Sequence, residues 1–261
     1  MDTISPALHI SKTSSASVTQ LAENSWHLEI PAGNAHHYRL DQLDDHTIGA
    51  RNSFRWRPPF TLSLQVRVSS EVLPGTWGFG CWNDPFSFLM GYEGFKLRLP
   101  ALPQAAWFFH ASPHNYLSFR DDLPASGFLA ATFSSARIPP ALVTLVSPLL
   151  ALTLIPGAAR WMRTLLRRMV RQDSAQVKTQ ETEWHLYRLN WLADVVIFSL
   201  DEIEILKTSI TPQGPLSLVI WIDNQFAALP PTGPLKFGYL PNPEPAWLEI
   251  KDVVFVNSTQ S

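Results

Sequence analysis

The feature that most constrains this chain is a strict alternation of apolar and polar side chains. In FTLSLQVRV, residues 60–68, every second residue is Phe, Leu or Val, and the residues between them are Thr, Ser, Gln and Arg. Because successive side chains of a β-strand point to opposite faces of the sheet, this pattern predicts a strand with one buried and one solvated face. Half-buried strands of this kind are typical of antiparallel sheets.

Similar short apolar segments recur along most of the chain and are separated by turn signals such as LPGT, TPQGP and PNPEP. Most of them follow one another without an intervening helix. We therefore predict an all-β protein, a two-sheet antiparallel jelly-roll β-sandwich with one helical insert. Residues 1–22, which are rich in Ser and Thr, are expected to form a flexible N-terminal arm, and residues 23–261 a single sandwich domain.

The composition excludes several classes of protein. With 261 residues, 46% of them hydrophobic and 16% charged, the chain can bury a sizeable core. A net charge of −2 gives no electrostatic reason to expect binding to nucleic acid. The single cysteine, Cys81, excludes an internal disulfide and is expected to be a small buried residue. The first residues lack the basic and apolar regions of a secretory signal, so a cytoplasmic location is expected.

Residues 137–175 interrupt the strand pattern and form the predicted insert. Its first part, from Ile138 to Ala159, is 22 residues without a charge, long enough by count to cross a bilayer. Four prolines, at 139, 140, 148 and 156, disfavour a continuous helix there. Strands on both sides of the insert must also lie in one compartment to share a sandwich. Both arguments predict that the segment does not span a membrane.

The second part of the insert, GAARWMRTLLRRMVRQ, predicts a strongly amphipathic basic helix. One interpretation is a lid that packs on the sandwich, with Trp161, Leu165 and Met169 buried and the arginines in water, and this is the one we predict. The other is a peripheral contact of residues 138–171 with an anionic membrane surface. The residues assigned to the lid or to the membrane contact are Leu149, Leu152, Trp161, Leu165, Arg167 and Arg168.

The segment EWHLYRLNWLADVVIFSLDEIEI, residues 183–205, resembles a strand pair of family 16 glycoside hydrolases and of the wider concanavalin A-like lectin/glucanase superfamily. Trp184, Tyr187 and Trp191 match the aromatic positions of its first strand. The second strand of the family ends in Val-Asp-Gly, where this chain has Leu-Asp-Glu.

Upstream, LPGTWGFGCW, residues 73–82, is similar to the Gly-Thr-Trp segment ahead of the family's active site. The resemblance covers roughly residues 25–135 and 180–256. It implies the sandwich fold and, by the family name alone, a carbohydrate-active protein. The superfamily's structural metal commonly binds an Asp of the closing strand, where this chain has Lys251, so we expect neither a metal nor another cofactor.

The same resemblance argues against the family's reaction. Retaining glycosidases need two carboxyl groups about 5–5.5 Å apart, and family 16 supplies them from one strand of the form Glu-x-Asp-x-(x)-Glu. The corresponding segment here, PQAAWFFHASPHNY, contains neither Asp nor Glu. The candidates for an atypical mechanism are His110 and His114, which could act as acid and base near neutral pH, and Asp84. Each has a structural interpretation as well.

The strand AAWFFHA is apolar on both faces, whereas a cleft that cleaves sugars is rich in polar and acidic groups. We therefore predict a non-catalytic sandwich that binds a small, largely apolar or carbohydrate-containing ligand in a lid-covered cleft. The alternatives are an atypical family 16-like enzyme and a peripheral membrane protein. The residues expected to line the cleft are Trp77, Trp82, Trp107, His110, Tyr116, Trp221, Asp223 and Asn224.

Overall fold

The fold is known from a computed structural model that describes residues 8–45, 50–85, 98–146 and 153–257. Within them the chain forms two seven-stranded antiparallel sheets, here called sheet I and sheet II, which pack face to face. The predicted all-β sandwich is therefore confirmed.

Sheet I contains, in spatial order, β1 (His9–Lys12), β4 (Leu40–Asp44), β13 (Ser217–Asp223), β6 (Thr76–Trp82), β7 (Ala105–Ala111), β8 (Gly127–Ser135) and β9 (Val170–Gln176). Sheet II contains β12 (Ile203–Thr208), β11 (Val196–Leu200), β10 (His185–Trp191), β5 (Phe60–Val68), β16 (Ala246–Asn257), β3 (Ser25–Ile30) and β2 (Ser17–Ala22). The other elements are a hairpin of β14 (Gln225–Ala228) and β15 (Lys236–Tyr239), a 3-10 turn at Arg51–Ser53, and helices α1 (Pro140–Val146) and α2 (Pro156–Met169).

The main core lies between the two sheets. Strand β5 shows how the sequence builds it: its five alternate apolar residues, from Phe60 to Val68, are all buried, and the polar residues between them are partly exposed. Each such side chain contributes about 1.5–3 kcal/mol by leaving water. From sheet I, Phe79, Phe108 and Ile220 enter the same core. Cys81 is also buried there as a free thiol, as expected.

Sheet I is apolar on its outer face as well. The residues that alternate with the core positions of β7 and β8 include Phe109, Leu129 and Phe133, and all three are buried in a second hydrophobic cluster. Strand β7 is therefore covered on both sides, as the composition of AAWFFHA indicates. The insert covers part of this outer face, because Met169 packs against the second hydrophobic cluster.

The expectation of a flexible arm through residue 22 is wrong for residues 9–22. Strand β1 pairs with β4, and β2 pairs with β3, so each adds an edge strand to one sheet. The hydroxyl of Ser11 also donates to the carboxylate of Asp44 at 2.9 Å. An edge strand needs one backbone partner and few apolar side chains, which is why the polar composition of this segment did not indicate it.

The insert is shorter in its helical part than predicted. Helix α2 ends at Met169, and residues 170–176 form β9, which pairs with β8. Buried Val170, Gln172 and Ser174 alternate with more exposed residues, which is the period of a strand and not of a helix. Among the described residues, no helix is both long enough and apolar enough to cross a bilayer.

Helix α2 packs on the sandwich, but not through the face that the lid prediction assigned. Ala159, Met162 and Arg163 are buried, whereas Trp161 is 60% exposed and Leu165 is 36% exposed. The prediction that Trp161 and Leu165 are buried is therefore wrong. Arg167 and Arg168 are exposed, whereas Leu149 and Leu152 lie outside the described residues.

Arg163 explains the orientation of α2. Its guanidinium donates to the backbone carbonyl oxygens of Ser118 and Leu229 and to the carboxylate of Asp121. These partners hold the side chain toward the protein, and the adjacent part of the apolar face turns to solvent.

Candidate functional site

Three indole rings meet on the outer face of sheet I. The ring centroids of Trp107 and Trp221 are 5.3 Å apart, and those of Trp82 and Trp107 are 5.8 Å apart. The three side chains come from adjacent strands β13, β6 and β7, at positions that face away from the main core. Trp82 is buried, and Trp107 and Trp221 are partly exposed. We call this group the tryptophan platform.

A glycine makes room for one end of the platform. Gly78 lies on β6 directly across from Trp221 on β13. A Cβ atom at this position would lie 2.8 Å from Cη2 of Trp221 and 2.4 Å from the carbonyl oxygen of Phe108. Only a residue without a side chain therefore lets the indole of Trp221 lie across β6.

A hydrogen-bond chain fixes the orientation of Trp221. Its Nε1 donates to Oγ1 of Thr76 at 2.9 Å, and that hydroxyl donates to Oδ1 of Asp223 at 2.8 Å. Oδ2 of Asp223 accepts from the hydroxyl of Tyr38 at 3.2 Å. Burial raises the pKa of Asp223 to about 7, although Thr76, Gln225 and Tyr38 oppose the shift by donating hydrogen bonds.

Polar side chains border the platform on the side of β4. Gln42 lies directly across from Trp221, and its amide donates to Oδ2 of Asp44 at 2.8 Å. Ser11 donates to the same carboxylate oxygen. The outer face of sheet I thus carries an aromatic surface with amide, carboxylate and hydroxyl groups along one side.

The connection between β7 and β8, residues 112–126, packs beside the aromatic surface. Leu117 and Phe119 of this connection and Met169 of α2 contact the second hydrophobic cluster. The connection is tied down in turn, because the amide of Phe119 donates to the side chain of Gln172 on β9. Helix α2 lies against this connection through Arg163, whose guanidinium carbon is 5.1 Å from the ring centroid of Tyr116.

Two residues predicted to line the cleft lie in the main core instead. Trp77 and His110 point inward from β6 and β7, and their rings stack with centroids 5.8 Å apart. Nδ1 of His110 lies 3.1 Å from Oε2 of Glu181. Trp77 is five residues from Trp82, and His110 three from Trp107. On a regular strand an odd separation places two side chains on opposite faces. The spacing in the sequence therefore excludes Trp77 and His110 from the face that carries the platform.

The remaining candidates have other surroundings. His114 is exposed in the connection after β7, and its ring lies near Phe226 of β14, so it does not form a pair with buried His110. Asp84 is buried and forms an ion pair with Arg98 at 2.7 Å. Asn224 is fully buried and bonds backbone groups of His37, Arg39 and Leu240.

The sequence did not indicate Thr76, Gly78, Gln42 or Arg163 as parts of this region. The alternation TWGFGCW offers one signal, since Thr76 and Gly78 share the parity of Trp82 and hence its face. No comparable signal exists for Arg163, whose partners lie 45 and 66 residues away in the chain. In the described ranges, no group of three His, Cys, Asp or Glu side chains could hold a metal ion.

The chain matches no protein-family model, and no curated protein matches it. It is similar to several solved structures. With the legume lectin-like domain from Entamoeba histolytica it shares 10% identity over 96% of this chain and 89% of that one, with a TM-score of 0.47. With the family 16 endo-glucanase from Bacteroides ovatus it shares 11% identity over 93% of this chain and 86% of that one, with a TM-score of 0.48.

A third similarity is to the carbohydrate-binding module CBM66 from Bacillus subtilis, at 7% identity over 97% of this chain and 96% of that one, with a TM-score of 0.41. The two sheets described above define the fold, and the side chains on the outer face of sheet I define the chemistry of the candidate site.

Proposed function

We propose that this protein is a non-catalytic binding protein that holds a small ring-containing ligand against the tryptophan platform. The observation that carries the proposal is the contact of three indoles on one sheet face, two of them partly open to solvent. Aromatic rings supply a large apolar contact area at a low cost in conformational entropy. The planes of Trp107 and Trp221 are tilted by 48° to each other, so each partly exposed indole could contact an apolar side of a ring.

The polar border narrows the class of ligand. Ligand sites combine apolar walls with a few placed polar groups that fix orientation. Here Gln42, which is buried in the free protein and donates to Asp44, lies directly across from Trp221, where its amide could bond a hydroxyl group at the edge of a stacked ring. A carbohydrate-containing molecule has both an apolar ring face and such hydroxyls, and it is the ligand class that we favour over a wholly apolar one.

The acids of this region support binding without hydrolysis. Strand β7 carries no Asp or Glu. Of the nearby acids, Asp84 is paired with Arg98, Asp44 accepts from Ser11 and Gln42, and Asp223 accepts four hydrogen bonds from Thr76, Gln225 and Tyr38. A retaining glycosidase needs one carboxylate free to attack and a second free to transfer a proton. None of these three acids has that freedom.

The test is a titration of tryptophan fluorescence, with calorimetry, against a panel of β-glucan and other oligosaccharides and against the apolar dye anilinonaphthalene sulfonate. We expect saturable binding of an oligosaccharide that Trp107→Ala and Trp221→Ala each weaken at least about tenfold. Trp184→Ala is the matched control, since Trp184 is partly exposed beside Lys251 of sheet II. It should leave affinity unchanged.

Three results would contradict the proposal. If no panel member binds at millimolar concentration, the protein does not bind the proposed class of ligand. If the three tryptophan variants weaken binding equally, the ligand does not bind at the tryptophan platform. Turnover of laminarin or lichenan would replace binding by catalysis. If the dye binds at the platform and no oligosaccharide binds, the platform is a binding site, but its ligand is apolar and not a carbohydrate.

A further inference from the structure

The charge of the chain is distributed unevenly. The chain as a whole has a net charge of −2, yet residues 123–172 contain no Asp or Glu and six arginines. Five of these arginines are exposed: Arg137, Arg160, Arg167, Arg168 and Arg171. Of the acids that flank this segment, Asp122 pairs with Arg120, Asp121 pairs with Arg163 and lies 3.8 Å from Arg167, and Asp173 is partly exposed next to it. The surface of the insert is therefore cationic on a protein that is otherwise acidic.

The same surface exposes large apolar side chains. Trp161 and Leu165 are one helical turn apart on α2, so they lie on the same side of the helix. Leu154 and Ile155, immediately before α2, are 58% and 57% exposed. Arg168 follows Leu165 by three residues and Trp161 by seven, which places a cation beside the apolar pair. We call Leu154, Ile155, Trp161 and Leu165 the apolar ridge of the insert.

Tertiary contacts hold helix α2, and with it the ridge, in a fixed orientation. Helix α2 is fixed to the sandwich by buried Ala159, Met162 and Arg163. Arg163 anchors it to the β7–β8 connection and to Leu229 beyond β14. The fold thus holds the ridge in a defined direction, away from sheet I.

We infer that the insert is a docking surface for an anionic lipid bilayer. A helix that lies in a membrane interface buries apolar side chains at the depth of the headgroups and acyl boundary and places Lys or Arg among the phosphates. Trp is favoured at that depth because it has an apolar body and a polar N–H. The ridge supplies Trp161 and Leu165, and Arg160, Arg167 and Arg168 supply the cations.

Charge complementarity selects the lipid surface over a second copy of this chain. A symmetric contact between two inserts would bring arginines together with no acidic residue of 123–172 to neutralise them. An anionic leaflet, in contrast, attracts each surface cation by about 1 kcal/mol. The inference is independent of the tryptophan platform, because no residue of the platform belongs to the ridge.

The test is co-sedimentation of the full chain with vesicles. One set contains equal parts of phosphatidylcholine and phosphatidylserine, and the other phosphatidylcholine alone. We expect binding to the anionic vesicles, at least about tenfold weaker binding to the neutral ones, and loss of binding as salt is raised. Trp161→Ser with Leu165→Ser should weaken anionic-vesicle binding at least about tenfold. Arg167→Glu with Arg168→Glu should do the same.

Matched variants separate the ridge from general effects. Leu21→Ser removes an exposed leucine from β2, on sheet II, and should leave binding unchanged. Arg55→Glu with Arg57→Glu makes the same change of net charge at exposed residues outside the insert and should have little effect. Circular dichroism and unfolding midpoints verify that each variant is folded, which we expect because all substituted side chains are exposed.

Three results would overturn the inference that the insert docks on an anionic bilayer. Absence of binding to anionic vesicles at low salt would remove the proposal, and so would binding that the ridge variants do not weaken. Self-association of the native chain in analytical ultracentrifugation, abolished by the Trp161 and Leu165 changes, would assign the ridge to a protein interface. None of these outcomes bears on oligosaccharide binding.

Discussion

Nη2 of Arg163 donates a hydrogen bond to Oδ1 of Asp121 at 2.6 Å, which links helix α2 to the connection between β7 and β8. Nη1 of the same guanidinium donates to the carbonyl oxygens of Ser118 and Leu229. An arginine that the amphipathic pattern assigns to solvent is thus the buried anchor of the helix. Its neighbours Trp161 and Leu165 consequently face water.

Arg163→Met tests this anchor. The substitution keeps most of the side-chain volume but leaves two carbonyl oxygens without their donor. We expect the free energy of unfolding to fall by about 2 kcal/mol, measured by urea denaturation. Arg167→Met is the control, because Arg167 is 54% exposed and lies 3.8 Å from Asp121. It should change stability by less than about 0.5 kcal/mol. Equal losses in the two variants would refute the anchor.

Thr76→Val tests the chain that orients Trp221. The substitution removes the acceptor of the Trp221 indole and one donor to Asp223. We expect a loss of about 1–2 kcal/mol in unfolding free energy, a change in the near-ultraviolet dichroism of the tryptophans, and weaker ligand binding. Thr61→Val breaks a similar hydrogen bond, to Asn190 on sheet II, and should leave binding intact. An unaltered tryptophan spectrum in Thr76→Val would count against the orienting role.

Gly78→Ala tests the space beneath the platform. The new Cβ would lie 2.4 Å from a backbone oxygen and 2.8 Å from Trp221, so the two strands must move or the indole must turn. Overpacking of this kind costs about 1–3 kcal/mol. At Gly157 in α2 nothing lies within 4 Å of an added Cβ. Gly157→Ala should therefore be neutral or stabilising by up to about 1 kcal/mol. Thermal denaturation of both proteins gives the comparison, and a neutral Gly78→Ala would be inconsistent with the geometry.

The buried carboxyl group of Asp41 should make the free energy of unfolding depend on pH. Burial raises its pKa to about 7, against the smaller opposing effects of the Glu29 amide and of the charges of Lys12 and His27. In the unfolded chain an Asp titrates near pH 3.9. Between these two values the folded state holds a proton that the unfolded state has lost, so the unfolding free energy falls as pH rises. Above about pH 7 this contribution is constant.

Asp41→Asn removes that titration. Relative to the variant, the native protein should lose stability on the order of 3 kcal/mol between pH 4 and pH 8. Urea denaturation at several pH values measures the difference. Parallel pH profiles for the two proteins would show that the carboxyl group titrates normally in the folded state.

Much of the fold could be predicted because strand alternation is a local signal. The pattern of Phe60–Val68 and the doubly apolar β7 both appear in the structure as predicted. The edge strands at residues 9–12 and 17–22 could not be predicted in the same way, because their stability comes from backbone hydrogen bonds to β4 and β3. Such bonds leave little trace in side-chain composition.

The candidate site was predictable only in part, for a different reason. Parity along a strand decides which of Trp77 and Trp82 faces outward, and it is readable from the sequence. The direction of α2 is not, because its apolar face is wide enough to pack in more than one rotation. Contacts to Ser118, Asp121 and Leu229, each distant in sequence, decide between those rotations.

The insert leaves β8 and returns to β9 at one point of sheet I. Ser135 pairs with Val170, and the amide of Ala136 donates to the carbonyl oxygen of Met169 at 2.9 Å. In topological terms the segment is an enlarged hairpin loop, and the entropy of closing such a loop grows only slowly with its length. Its length and composition can therefore change through evolution or engineering while the register of the two strands is kept. A chain with a short turn at this point would keep the pairing of β8 with β9 but would lose the cover that Met169 gives to the outer face of sheet I.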